Sequence, residues 1–175
     1  INLIPNIALP RRLILRAADQ ISATITVSES LKQRMVAIGA SPEKIHVLRN
    51  GVDLKLFQPI NRDAARAALG WTSKVLLSVG NLLELKGHHL IIDAMRELRE
   101  FRLVIIGGGK EEASLRRRCM ESEVEERVEF ISRIPQRQLH TYYGAADALI
   151  LASSREGWAN VLLESMACGT PVVAT

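Results

Sequence analysis

Aromatic side chains are scarce in this chain, at 4% of its residues. Proteins that hold nucleic acid strands combine basic residues with aromatic stacking platforms. Here the basic residues alternate with acids instead, as in Glu111-Glu112 beside Arg116-Arg117-Arg118. A nucleic-acid partner is therefore not expected, although the net charge is +4 and the pI is near 9.4. That balance fits a small partner carrying phosphates. Cysteine is also sparse. Cys119 and Cys168 lie far apart, each on an apolar helical position, which excludes a disulfide framework or a thiolate metal pair and points to reduced core thiols in a cytoplasmic protein. No apolar run approaches membrane-spanning length and no signal peptide is evident. The first residue is Ile1 rather than Met, and Thr175 follows directly on a strand-like run. We therefore expect a fragment of a longer protein.

Regular alternation of strands and helices is plentiful. Val75–Val79, Leu103–Ile106, Val128–Ile131 and Asp147–Ala152 are short apolar runs, and Val172–Ala174 begins a fifth. Helical patterns separate them: Ile91, Ala94, Met95 and Leu98; Glu111–Met120; Gln138–Ala146; and the stretch after Asn160. Apolar strands separated by helices predict an α/β fold with a doubly wound, Rossmann-like parallel sheet covered on both faces. Ligands of such sheets bind beyond the C-terminal strand ends. Upstream, Ala23–Val27 and Ile45–Leu48 read as strands around a helix that starts at Ser28 and stops at Gly39. Asn50-Gly51 is expected to supply positive φ in a turn. The basic stretch Arg11–Arg16 predicts an amphipathic helix with a solvated basic face, and the same pattern would suit peripheral contact with an anionic membrane.

The chemistry concentrates in Ser154–Pro171. Gly157 lets the backbone bend, Asn160 is a suitable N-cap, Gly169 suits a left-handed C-terminal cap, and Pro171 stops the helix. A strand, a glycine-bearing loop and a helix N-terminus make an anion site, because free N–H groups and the positive dipole end converge there. Glu156 in the loop and Glu164 in the helix bracket it. Carboxylates beside a phosphate are suited to accept from hydroxyls, and helical side chains lean toward the N-terminus, so Glu164 is expected to point toward the loop. Phosphate donors flanked by hydroxyl acceptors describe a pocket for a nucleotide-sugar. In the loop after the first long strand, Lys86 can neutralise a diphosphate, and Gly87 permits close approach. Gly107-Gly108-Gly109 allows backbone to approach a phosphate or sugar. His88-His89 has no metal-ligand spacing around it and reads as one solvent-facing and one partly packed side chain.

The pair Glu156-x7-Glu164 followed by Ser-Met-Ala-Cys-Gly-Thr-Pro-Val-Val-Ala-Thr resembles the signature of group 1 (family 4) retaining glycosyltransferases with the GT-B fold. A strand ending in Val-Ser, a helix and Asn50-Gly-Val-Asp53 resemble the end of that family's N-terminal domain. The resemblance implies a remnant of the acceptor-side domain over 1–57, a linker over 58–73 and a truncated donor-binding domain over 74–175. It implies a nucleoside-diphosphate-sugar donor, UDP or GDP type, transfer with retention, no metal and no cofactor. Glu156 and Lys86 are the implied catalytic residues. The implied donor site adds Gly80, Asn81, Gly108, Gly157, Trp158, Ala159, Asn160, Val161 and Glu164, with main chain at Arg133 and Ile134 holding the base. Asn81 stands where the family usually has Arg, and brings no charge. A nucleotide-sugar epimerase or phosphorylase of the same architecture, or a catalytically inactive binding module, are the alternatives. The localisation implied is cytoplasmic, at the inner membrane face for many acceptors.

Overall fold

The computed structural model describes residues 8–156 and 158–175, and the chain divides into two compact units at Asn50/Gly51. The first contains α1 (Ala8–Gln20), β1 (Thr24–Thr26), α2 (Glu29–Ala37) and β2 (Ile45–Val47). The Ser28 hydroxyl caps α2 by accepting from the Leu31 amide at 3.2 Å, and Gly39, at φ 108°, ends it. β1 and β2 pair in parallel, Thr24 opposite Ile45, over a small core of Ala18, Ala40 and Ile45. The Arg11 guanidinium of α1 donates to the Ile38 carbonyl, while Leu13 is exposed.

The chain then turns by a different device from the one expected. Among the described residues positive φ outside glycine occurs only at Glu123, and Gly51 has none. The Asp53 carboxylate makes the bend instead, accepting from the Lys55 amide at 2.9 Å and the Leu56 amide at 3.4 Å, as a short acidic side chain does in an Asx turn.

The second unit runs α3 (Arg62–Leu69), β3 (Lys74–Val79), α4 (His88–Ala94), β4 (Phe101–Ile106), α5 (Glu112–Glu121), β5 (Val128–Ile131), α6 (Gln136–Ala145), β6 (Ala148–Leu151), α7 (Asn160–Ala167) and β7 (Val172–Ala174). All five strands are parallel, in the order β5-β4-β3-β6-β7. The chain works outward from β3 to β5, then crosses back to lay β6 on the other side of β3. Each face has its own core. Val75, Leu77, Val79, Leu149 and Tyr143 pack with Phe57 and Trp71 on one side. Leu76, Leu103, Ile105, Ile91, Ile92, Met95 and Leu115 pack on the other. Burial on both faces is why these strands read as continuous apolar runs rather than alternating ones.

Segment 51–73 packs within this second unit. Phe57 is 1% exposed, and Arg62 and Arg66 of α3 hold Asp147 at the start of β6, at 2.6 and 3.3 Å. Asp147 also accepts from the Val75 amide at 2.7 Å. Burial alone would raise its pKa, but that amide and the two guanidinium groups hold it below the ordinary carboxylate value. α4 ends at Ala94, short of Leu98, and the Arg127 guanidinium takes up the carbonyls of Met95 and Leu98 at 2.7 and 2.9 Å. Both cysteines are buried, and burial pushes each thiol up to about 11, so neither is a reactive thiolate near neutral pH.

Candidate functional site

β3 and β6 are neighbours whose following connections leave for opposite sides of the sheet. That switch point opens a crevice beyond their C-terminal ends. A cavity of about 330 Å³ lies there, walled by the ends of β3, β4 and β5 and by the loop from β6 into α7. Gly80, Asn81, Lys86, Arg133, Ile134, Glu156, Trp158, Ala159, Asn160 and Val161, all expected in the site, line it together. Val79, Ile106, Gly107 and Leu139 complete the wall. Gly157 lies outside the described residues.

Backbone contacts position the loop after β3. Gly80 extends the ladder by donating to the Ile106 carbonyl at 3.0 Å, and Leu82 donates to Gly108 at 3.1 Å. A 3-10 turn over Glu84–Lys86 ends at Gly87, whose φ is 69°. A side chain at Gly87 would place its Cβ 1.9 Å from the Ala152 carbonyl oxygen, so only glycine lets this loop touch the end of β6. The Ser154 amide then donates to the Leu85 carbonyl at 3.0 Å. Together these contacts deliver Lys86 to Glu156, Nζ to Oε1 at 2.5 Å. Both side chains remain about a quarter exposed. A pair that open to water contributes about 1 kcal/mol or less, so a phosphate can compete for the ammonium.

His88 departs from expectation. It is 1% exposed, with Nδ1 3.1 Å from the Ser78 hydroxyl and Nε2 3.3 Å from the Asn81 carbonyl. A carbonyl only accepts, so Nε2 carries the proton and Nδ1 accepts from Ser78. Burial, seconded by the nearby Lys86 charge, holds the imidazole below its usual pKa. His88 is thus a neutral strut that fixes Asn81. The doublet His88-His89 suggests one partly packed side chain without saying which; the signal that singles out His88 is Ser78, a hydroxyl in an otherwise apolar strand, which needs a partner.

Asn81 receives a second contact, from Arg133 across the cavity, Nη2 to Oδ1 at 2.7 Å. The family resemblance implies a main-chain role for Arg133. In the structure its guanidinium stands beside the residue that lacks a charge.

Helix α7 differs in one detail. Its N-cap is Ala159 and Asn160 is the first helical residue, so the helix starts one position earlier than expected. Its C-terminus is as expected: Gly169 has φ 81°, Gly169 donates to Met166 at 3.0 Å and Thr170 donates to Ser165 at 3.0 Å, the paired bonds of a Schellman motif. The Thr170 hydroxyl donates to the Tyr143 carbonyl at 2.5 Å, binding this exit to α6.

Two expected residues are absent from the cavity wall. Gly108 stands aside, and a Cβ there would meet nothing. Gly107 is the glycine the site requires, since a Cβ on it would fall 1.8 Å from the Gly80 carbonyl oxygen. Glu164 is 5% exposed and sits behind the wall. Its Oε2 accepts from the Tyr143 phenol at 2.8 Å and its Oε1 from the Gln136 amide at 2.7 Å. Burial first, then the Glu164 carboxylate, push the Tyr143 phenol far above its usual pKa. Among the described residues no cluster of three His, Cys, Asp or Glu side chains could hold a metal ion.

Comparison with known proteins places this geometry. A family model described as "Glycosyl transferases group 1" matches residues 61–175, and one described as "Glycosyltransferase Family 4" matches 3–56. The chain is 34% identical over 176 residues to D-inositol 3-phosphate glycosyltransferase 1 of Catenulispora acidiphila, covering 92% of this chain and 42% of that protein. It is 35% identical over 167 residues to the D-inositol 3-phosphate glycosyltransferase of Mycobacterium leprae, covering 91% and 39%. Among solved structures, Anabaena HepE in complex with UDP and glucose superimposes with a TM-score of 0.85 at 25% identity, over 94% of this chain and 47% of that one. Sucrose-phosphate synthase of Thermosynechococcus elongatus gives 0.82 at 28% identity, over 94% and 43%. The chain thus spans less than half the length of these proteins. Its five-stranded parallel sheet flanked by helices is that of GT-B glycosyltransferases, and by the family model that covers most of its length the chain belongs to the group 1 glycosyl transferases.

Proposed function

We propose that this chain supplies the donor-binding half of an enzyme that transfers a sugar from a nucleoside-diphosphate-sugar to an acceptor with retention of anomeric configuration. The observation that carries the reading is the meeting of Lys86, Glu156 and the start of α7 in one cavity at the switch point of the sheet. UDP-glucose is the first donor to test, since HepE is described in complex with it.

As the bond between the anomeric carbon and the diphosphate oxygen breaks, negative charge grows on the departing diphosphate. Lys86 and the amides from Trp158 through Val161 would meet it as fixed positive charge and dipoles. Lys86 then leaves Glu156, whose carboxylate becomes open to hydroxyls of the donor sugar. With these groups in place, the proposal needs neither a metal nor a cofactor. Glu164 would accept from the ribose hydroxyls once the exposed Gln136 side chain gives up Oε1. The acceptor would be bound by the N-terminal domain, to which the first unit, Ile1–Asn50, would belong. α1, with Leu13 exposed among Arg11, Arg12 and Arg16, suits contact with an anionic membrane face, and co-sedimentation with anionic and neutral vesicles tests that part.

Titration with UDP and GDP tests the donor site. Binding by one or both is expected, with Lys86→Ala weakening it about tenfold or more, the scale of one charged hydrogen bond. Failure of both nucleotides to bind at millimolar concentration would contradict the proposal.

A further inference from the structure

Among the described residues, three charged side chains line the cavity: Lys86, Glu156 and Arg133. Lys86 and Glu156 neutralise each other at 2.5 Å. The net positive charge of the cavity therefore rests on Arg133, whose contact is with a neutral amide oxygen. We infer that Arg133 is a diphosphate-binding residue of the donor site, held in place by Asn81. The inference deepens the donor-site reading and rests on it.

The geometry supports this in three ways. Arg133 comes from the end of β5 and reaches the loop after β3, the same loop that carries Lys86, so both cations address one region of the cavity. Only one of its five N–H donors is engaged by Asn81, which leaves a planar fork for phosphate oxygens. Asn81 itself is anchored, because its carbonyl accepts from the buried His88. Its Oδ1 is taken by Arg133, so its Nδ2 remains as a further donor on the same side as the guanidinium. A neutral amide at this position orients the guanidinium without cancelling its charge. A carboxylate there would cancel it.

Calorimetric titration of the protein with UDP and with uridine at fixed ionic strength separates phosphate from base contacts. Arg133→Ala is expected to weaken UDP about tenfold or more and to leave uridine within about twofold, since a charged hydrogen bond to phosphate carries that scale of discrimination. Arg133→Lys should fall between, keeping the charge but losing the fork. Asn81→Asp should mimic Arg133→Ala, by pairing the guanidinium. Both positions are exposed, and circular dichroism checks that the variants are folded. Equal losses for UDP and uridine, or an unchanged UDP affinity in Arg133→Ala, would overturn the inference while leaving the donor site standing. Failure of the unsubstituted protein to bind UDP or GDP would remove both.

Discussion

Tyr143 and Glu164, on facing helices α6 and α7, share a buried hydrogen bond of 2.8 Å in which the phenol donates to the carboxylate. A carboxylate that is 5% exposed is tolerated only while its oxygens are satisfied. The same Tyr143 receives the Thr170 hydroxyl on its carbonyl, so one residue of α6 holds both the middle of α7 and its exit.

Removing that donor has a defined cost. Tyr143→Phe leaves Glu164 Oε2 without its phenol partner, and about 1–3 kcal/mol of stability is expected to go with it. Urea denaturation of the two proteins measures the difference. An unchanged midpoint would show that the bond does not hold the helices.

Asp147 makes acid stability predictable. Its folded pKa lies below the ordinary value, so it contributes fully above about pH 4, near the unfolded value. That contribution is lost as pH falls through the depressed folded value. Asp147→Asn should lose about 1–3 kcal/mol at pH 7 and flatten the acid limb below pH 4. A variant whose acid limb matches the parent's would contradict the assignment.

His88 acts in a different window. Its folded pKa is depressed by burial, so the unfolded chain binds its proton first, and stability should decline as pH falls below about 6.5 until the folded value is reached. His88→Leu should remove that slope, and should leave the Asn81 carbonyl with the Leu83 amide alone. Thermal melts at pH 7.5, 6.5 and 5.5 show whether the slope is there. Parallel curves for parent and variant would mean that His88 takes up its proton as readily in the folded protein as in the unfolded chain.

Gly87→Ala puts a methyl 1.9 Å from the Ala152 carbonyl oxygen and imposes a left-handed φ on a residue with a Cβ, which alone costs about 1–2 kcal/mol. The loop bearing Lys86 must then lift away from β6. Stability should fall by about 2 kcal/mol or more. Gly108→Ala, with open space around it, should be close to neutral. Equal effects at the two positions would contradict the close approach.

Several of these features were legible in the amino-acid order because their signals are local. The runs around Leu77, Leu103 and Leu149 announced buried parallel strands, and Gly169 with Pro171 announced the end of α7. Lys86 and Glu156 could be assigned to one pocket because parallel strands put every following loop at the same end of the sheet. What escaped was long-range. The Arg133–Asn81 contact joins residues 52 positions apart, and nothing local distinguishes a guanidinium that reaches a site from one in water. Glu164 was expected to face the loop from helix geometry alone, but Tyr143 and Gln136, 21 and 28 positions away, decide where it points. The turn at Asn50-Gly51 failed for a local reason, since Asp53 offered a competing side-chain bend.

The central claim is that the start of α7 and Lys86 cradle a diphosphate. A crystal structure of the protein with UDP bound tests it most directly. Both phosphates are expected within hydrogen-bond distance of Lys86 Nζ and the amides of Asn160 and Val161, with the Lys86–Glu156 pair opened. Electron density for UDP at any other place on the sheet, with that pair intact, would contradict it.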